Sequence, residues 1–214
     1  ERRGVVATCN YPAREFGIRS AMATAYARKL CPDVIVIPPN MAKYRAASAV
    51  MRDIFLEYTD RIEPLSLDEA YLDVTHAEAH AGSATRIAEA IRKAVHSRLG
   101  ITVSAGVSAN KFIAKVASDW RKPDGLMVVE PSEIDAFSAA LAVRLIPGVG
   151  RVTAEKLARR GFKTCADLRE AGPTELIRRY GSFGHALHER AYGRDERPVN
   201  PTRVRKSVSV EQTY

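Results

Sequence analysis

Long apolar runs are missing from this 214-residue chain. No stretch of eighteen apolar residues occurs, which excludes a membrane-spanning helix. Cysteine is scarce: Cys9, Cys31 and Cys165 are odd in number and show no CxxC spacing. Neither a disulfide framework nor a zinc site is therefore indicated, and a reducing compartment suits the three thiols. Histidines are few. His76 and His80 are helix-spaced, as are His185 and His188, but neither pair has a nearby cysteine or a clear acid partner, so all four read as surface residues. The chain starts Glu1-Arg2-Arg3 with no long apolar segment after it, so no signal peptide is expected. Internal repeats and low-complexity tracts are also lacking. What remains, 46% apolar and 7% aromatic residues, describes a globular protein with one large or two small cored domains.

The net charge of +8 is unevenly placed. Residues 144–206 hold 15 Lys and Arg against 7 Asp and Glu, whereas residues 1–143 hold 18 against 17. The excess positive charge thus sits in one C-terminal segment. A localised basic surface suits a polyanion, most simply nucleic acid, although a basic solvated face is the plainer alternative.

Pattern along the chain predicts an α+β core followed by an all-helical region. Gly4–Thr8 and Val34–Ile37 read as strands around a helix that Ser20 can cap and that runs to about Leu30. Met41, Tyr44, Ser48, Met51, Ile54, Phe55 and Tyr58 fall at helical spacing over 41–58. Strands are expected near 61–64 and 70–74, then a helix from Ser83 to Leu99, a strand over 102–107, a helix from Asn110 to Trp120 and a strand over 126–129. Two helices packed on one sheet fit this order. From about Pro131 the texture changes to short helices punctuated by Gly and Pro, with no strand.

Four segments carry candidate chemistry. Asp68 and Glu69 open the apolar run Ala70-Tyr71-Leu72-Asp73-Val74. Adjacent acids at a buried strand entry are costly unless neutralised, and hard carboxylate oxygens suit Mg²⁺; a turn with solvated acids is the simpler reading of this pair alone. In the helix from Asn110 to Trp120, Phe112, Ile113, Val116, Ala117 and Trp120 form the expected buried side. Lys111, Lys115, Ser118 and Lys122 share another face with three positive charges, either an ordinary solvated lysine face or a ridge fit to neutralise phosphoryl oxygens beside the acids. Thr8, Tyr11 and Arg14 gather a hydroxyl, a phenol and a guanidinium at the end of the first strand, where they could grip a triphosphate or form a packed turn. Ile146-Pro147-Gly148-Val149-Gly150-Arg151 is an apolar-Pro-Gly-apolar-Gly turn leading into a helix. It resembles a helix-hairpin-helix element, whose glycines let backbone amides approach a phosphate while Arg151 and Lys156 add sequence-independent contacts; a plain tight turn between packed helices is the alternative.

Taken in order, these segments resemble the Y-family translesion DNA polymerases, most closely those of the bacterial DinB type. YPAREFGIRSAM is similar to their fingers, SLDEAYLDV to the metal-binding hairpin of the palm, NKFIAKVASDWRKPDG to the palm helix and loop, and IPGVG to the thumb. The fold class implied is α+β: an incomplete polymerase palm, a mixed sheet with packed helices, with small α/β fingers and a helix-hairpin-helix thumb. Fingers would occupy 1–39, palm 40–133, thumb 134–198, and a linker towards a little finger 199–214. The implied activity is template-directed, error-prone nucleotidyl transfer, in which a primer 3′-hydroxyl attacks the α-phosphate of a dNTP with two Mg²⁺ as cofactors. Asp68 and Glu69 match the family's catalytic and metal-binding acids. Thr8, Tyr11, Arg14 and Lys122 match positions that hold the incoming nucleotide, and Gly148, Gly150, Arg151 and Lys156 those that meet DNA. The implied partners are primer-template DNA, dNTP and, for the full-length protein, a sliding clamp; the implied setting is a monomer in the bacterial cytoplasm, at the nucleoid when bound to DNA.

The chain also departs from the family. Residue 1 aligns after the first strand, with its metal-binding Asp and the aromatic that excludes ribonucleotides, and the chain stops where the little finger begins. The expectation is a fragment that binds metal and DNA weakly and has little activity alone. Other classes remain open: a non-catalytic helix-hairpin-helix DNA-binding module, a nucleotide cyclase, and a helix-hairpin-helix nuclease.

Overall fold

The computed structural model describes residues 4–202, so most of the expected linker over 199–214 lies outside the described residues. The chain divides between Arg45 and Ala46 into a small N-terminal unit and a larger one.

In the small unit, helix α1 spans Tyr11–Glu15, with the Asn10 side chain accepting from the Ala13 amide at 3.1 Å and Pro12 in its first turn. Helix α2 spans Thr24–Leu30; Ala27 on it is buried, as is Ile18 before it. The expected cap at Ser20 is not used: α2 begins after Ala23, and no side chain caps it. The expected strand at Gly4–Thr8 reduces to one isolated bridge between Val5 and Ala23. Val34–Ile37 forms no strand either, and Ile35 is 85% exposed. A β-branched run has the propensity for a strand, but a ladder also needs a neighbour, and no described strand pairs with this one.

Helix α3, Met41–Leu56, crosses the boundary between the units. Its stripe is only half buried: Met51 and Ile54 lie in a core, while Met41 and Tyr44 are exposed.

In the larger unit, β1 (Ile62–Pro64) pairs antiparallel with β2 (Ala70–Leu72), Ile62 facing Leu72 and Pro64 facing Ala70. Helix α4, Ala84–Leu99, starts at Ser83, whose hydroxyl accepts from the Arg86 amide, and ends at Gly100 in the left-handed region at φ 65°. These ends agree with the helix expected from Ser83 to Leu99. Strand β3 (Ala105–Val107) runs parallel to β4 (Leu126–Val128), joined through α5 (Lys111–Trp120). The Asn110 side chain caps α5 by accepting from Ile113 N at 3.0 Å. The single sheet expected from the pattern is instead two separate two-stranded ladders among the described residues. Three-residue strands supply too few backbone groups to knit the pairs together.

Four helices follow: α6 (Ile134–Ala140), α7 (Arg151–Arg159), α8 (Cys165–Tyr180) and α9 (Ser182–Ala191). Helix α8 breaks at Gly172, φ 73°, because Pro173 has no amide to donate and biases its predecessor away from helix. No strand forms here among the described residues, as expected.

One buried cluster joins Met51 and Ile54 of α3 to Ile87, Ile91 and Val95 of α4. The other joins Phe112, Ile113, Val116 and Ala117 of α5 to Leu157, Leu168, Leu176 and Leu187 of the helical region. Helix α5 is thus anchored in the same core as α7, α8 and α9. Trp120, placed on the buried side by its spacing, is 51% exposed, with its ring tilted against Phe137 at 5.2 Å. No described helix is long and apolar enough to cross a membrane.

Candidate active site and nucleic-acid interface

Asp68 and Glu69 sit in the turn that joins β1 to β2. The Glu69 carbonyl accepts from the amides of Leu65 (2.8 Å) and Ser66 (3.3 Å), closing a tight loop. Ser66 Oγ donates to Asp68 Oδ1 at 2.6 Å, and Lys115 Nζ lies 2.5 Å from Glu69 Oε1. Both acids are exposed, so the argument from a buried strand entry does not hold. They are exposed turn residues, held in place by the Ser66 hydroxyl and by Lys115 of α5.

The three lysines of α5 and its following loop have different fates. Lys115 points at the acids, as the i, i+4 spacing predicted. Lys111 does not join an open cationic ridge: it is buried, 2.6 Å from Glu63 Oε2, and donates to the Pro198 carbonyl at 2.8 Å. Lys122 follows α5 and pairs with Asp119 at 2.6 Å. Its loop is fastened by the ion pair between Arg92 and Asp124 at 2.8 Å.

Thr8, Tyr11 and Arg14 are exposed, Thr8 ahead of α1, Tyr11 at its start and Arg14 in its last turn. The Arg14 guanidinium lies 5.5 Å from the Tyr11 ring centre and donates through Nε to the Cys9 carbonyl at 3.2 Å. Stacking and a backbone anchor leave the other guanidinium edge available for a forked oxyanion contact.

At the other end of the chain, Ile146 and Val149 are buried, and Gly148 stands between them at φ 93°, a conformation that side chains resist. Gly150 precedes α7 and brings no side chain to cap it. The first amides of α7 are therefore left for an external acceptor such as a phosphate. Arg151 and Lys156 are exposed on this helix. An open groove beside it is lined by Val143, Arg144, Val149, Arg151, Ala154 and Lys163.

Two acids that sequence reasoning passed over hold the core of the larger unit's polar network. Glu63 accepts from Lys111 and from the Asn200 amide at 2.8 Å. Burial pushes its carboxyl up, but these hydrogen bonds and the charges of Lys111 and Arg197 outweigh it and leave it below the usual carboxylate range. Asp195, side chain fully buried, pairs with Arg197 (2.7 Å) and Arg190 (3.1 Å), and its carboxyl is lowered despite burial. The available signal was a charged residue between Ile62 and Pro64, where a strand should be apolar. Among the histidines, His188 turns out to have an acid partner, Glu189 at 3.3 Å, while His80 stacks against Tyr58.

A pH dependence follows. A carboxyl lowered by folding adds stability above its unfolded value, near pH 4.3, and loses that contribution as pH falls through the folded value. The stability advantage of wild type over Glu63→Gln is therefore expected to be full at pH 7 and to shrink below about pH 4. Urea unfolding of both proteins at pH 7 and pH 3.5 measures it.

A family model described as "impB/mucB/samB family" matches residues 1–119. The chain belongs to this family. A second model, "DNA polymerase-iota, thumb domain", matches residues 144–195, the segment that carries the basic excess. Curated family members named DNA polymerase IV from Ralstonia nicotianae and Pseudomonas aeruginosa are 60% and 58% identical over all 214 residues. The chain spans 60% and 61% of their lengths. The crystal structure of DinB from Sulfolobus solfataricus superposes with a TM-score of 0.84 at 33% identity, covering 93% of this chain and 59% of that one. An insertion ternary complex of Dbh DNA polymerase gives 0.85 at 33% identity, covering 92% and 58%. The fold is that of the Y-family polymerases.

Proposed function

We propose that the chain carries the central part of a translesion DNA polymerase, which adds dNTPs to a primer 3′-hydroxyl under direction of a template strand, in damage tolerance in the bacterial cytoplasm. The observation that carries this reading is the turn bearing Asp68 and Glu69, with Lys115 of α5 at 2.5 Å from Glu69. It unites hard oxygen donors with a cation beside a helix already anchored in the core.

The donor set fits Mg²⁺. This ion is commonly held by one or two carboxylates, with waters and substrate phosphates completing its shell. Among the described residues no cluster of three or more metal-ligating side chains gathers, so Asp68 and Glu69 would share the metal with a triphosphate. Two Mg²⁺ bound there would lower the pKa of the attacking hydroxyl and stabilise the attacking and leaving oxygens.

The chain's own residues do the rest. Lys115 neutralises Glu69 and is within reach of phosphoryl oxygens that approach the turn. In the small unit, Arg14, Tyr11 and Thr8 form a set of charged and neutral donors suited to a triphosphate; in the larger unit, Lys122 carries a point charge on the loop after α5. The α7 N-terminus with Gly148, Gly150, Arg151 and Lys156 takes backbone phosphates of primer-template DNA without reading sequence. Replacing both Arg151 and Lys156 by alanine is expected to lower the slope of log affinity against log salt by about 2, one per phosphate contact. Fluorescence anisotropy with labelled duplex over a salt series checks this.

The test of the reading is single-nucleotide primer extension with Mg²⁺, offering each dNTP in turn on four templates. It uses the chain completed at both ends with the flanking segments of the Ralstonia relative. Incorporation that follows the templating base supports the reading. Shortening of the primer without dNTP would replace it with nuclease chemistry.

A further inference from the structure

Residues 193–200 leave the helical region and cross back over α5 and β1. They are held there at three points. Asn110 Nδ2 donates to the Gly193 carbonyl at 2.8 Å, Lys111 Nζ to the Pro198 carbonyl at 2.8 Å, and the Asn200 amide to Glu63 Oε2 at 2.8 Å. Between these points Asp195, fully buried, fastens the segment to α9 through Arg190 and to itself through Arg197. Arg190 in turn lies over the ring of Phe112, and Lys111 lies 5.3 Å from the ring centre of Tyr71, which faces Glu63 across the β1–β2 ladder.

Lys111 and Glu63 therefore each serve two masters. Lys111 binds the strand that leads into the acidic turn and also the carbonyl of the crossing segment; Glu63 binds Lys111 and the amide of that same segment. A buried charge pair tied by further hydrogen bonds favours one geometry, because losing a partner leaves a charge less compensated. Glu63 is five residues before Asp68 on the same hairpin.

We propose that residues 193–200 act as a strap, and that Glu63 and Lys111 are positioning residues through which the strap sets the placement of the hairpin bearing Asp68 and Glu69. The strap makes the position of the acids depend on the end of the DNA-binding helical region. This rests on the polymerase reading for its consequence but not for its test, which follows backbone motion.

The test is amide hydrogen exchange resolved by NMR on the 214-residue chain, as wild type, Lys111→Met and Arg197→Gln. Arg197 is 59% exposed and its loss leaves Asp195 paired with Arg190, so its replacement is the milder of the two. Reporters are the amide of Asn200 for the strap, those of Leu65 and Ser66 for the turn, and those within α8 for global stability. Strap and turn amides are expected to exchange together about tenfold faster or more in Lys111→Met, and several-fold faster in Arg197→Gln, with α8 unchanged. A faster Asn200 with Leu65 and Ser66 at wild-type rates overturns the coupling. Uniform acceleration that includes α8 in Arg197→Gln also overturns it, since the network then serves overall stability. If Lys111→Met fails to fold, the same comparison in Arg197→Gln decides.

Discussion

Asp68→Ala is expected to lower the rate of dNTP incorporation by the completed protein at least about a thousandfold while leaving DNA affinity within about twofold. The two effects separate because the residues that perform them are apart in the sequence and in local structure. Asp68 is an exposed turn residue whose one described side-chain hydrogen bond is with Ser66, so removing it exposes no core and strands no buried charge. The elements proposed to bind phosphate sit around Gly148 to Lys156, anchored by Ile146, Val149 and Leu157 in a core that does not include Asp68. Rapid-quench primer extension alongside anisotropy of labelled duplex measures both. Equal losses in rate and affinity would mean that Asp68 supports structure.

Gly106→Ala is expected to destabilise the protein by at least about 3 kcal/mol. Strand β3 passes so close to α5 that a Cβ at Gly106 would fall on the Ala114 carbonyl oxygen and the Ser118 amide, and 2.9 Å from the Ala117 carbonyl carbon. These are backbone atoms of a helix, and they cannot rotate away. Helix α5 would have to lift off the strand, carrying Phe112, Ile113 and Val116 out of the core and Lys115 away from Glu69. Urea denaturation followed by far-UV circular dichroism gives the loss. Primer extension in the same variant would fall even where the protein stays folded, since the lysine face and the acidic turn are joined through this contact.

Much of this arrangement was legible. The helices expected from Ser83 to Leu99 and from Asn110 to Trp120 form within one residue of those bounds, because Ser83 and Asn110 cap them through local hydrogen bonds that tertiary packing does not override. The spacing of Lys115 from the buried Phe112 and Val116 placed it on the face that meets Glu69. Three readings failed for a common reason: they required knowledge of what lies opposite. Val34–Ile37 has strand composition but no described partner. Lys111 has the spacing of a surface lysine, yet Glu63 and the carbonyl of Pro198 close over it. Asp68 and Glu69 looked buried because of the residues after them, whereas the turn before β2 carries them into solvent. For pairing across distances of 48 and 87 residues, as at Lys111, the charge of Glu63 beside Ile62 is a signal, but it does not name the partner.

The measurement that bears most directly on the account is a Mg²⁺ titration of primer extension by the completed protein, run beside DNA binding over the same range and repeated with Asp68→Ala. The account predicts that duplex binding persists without Mg²⁺, that template-directed incorporation rises with Mg²⁺ only in the wild type, and that the variant binds but does not extend. Duplex binding with no incorporation at any Mg²⁺ concentration, in wild type and variant alike, would contradict it and leave a DNA-binding module whose acidic turn is structural.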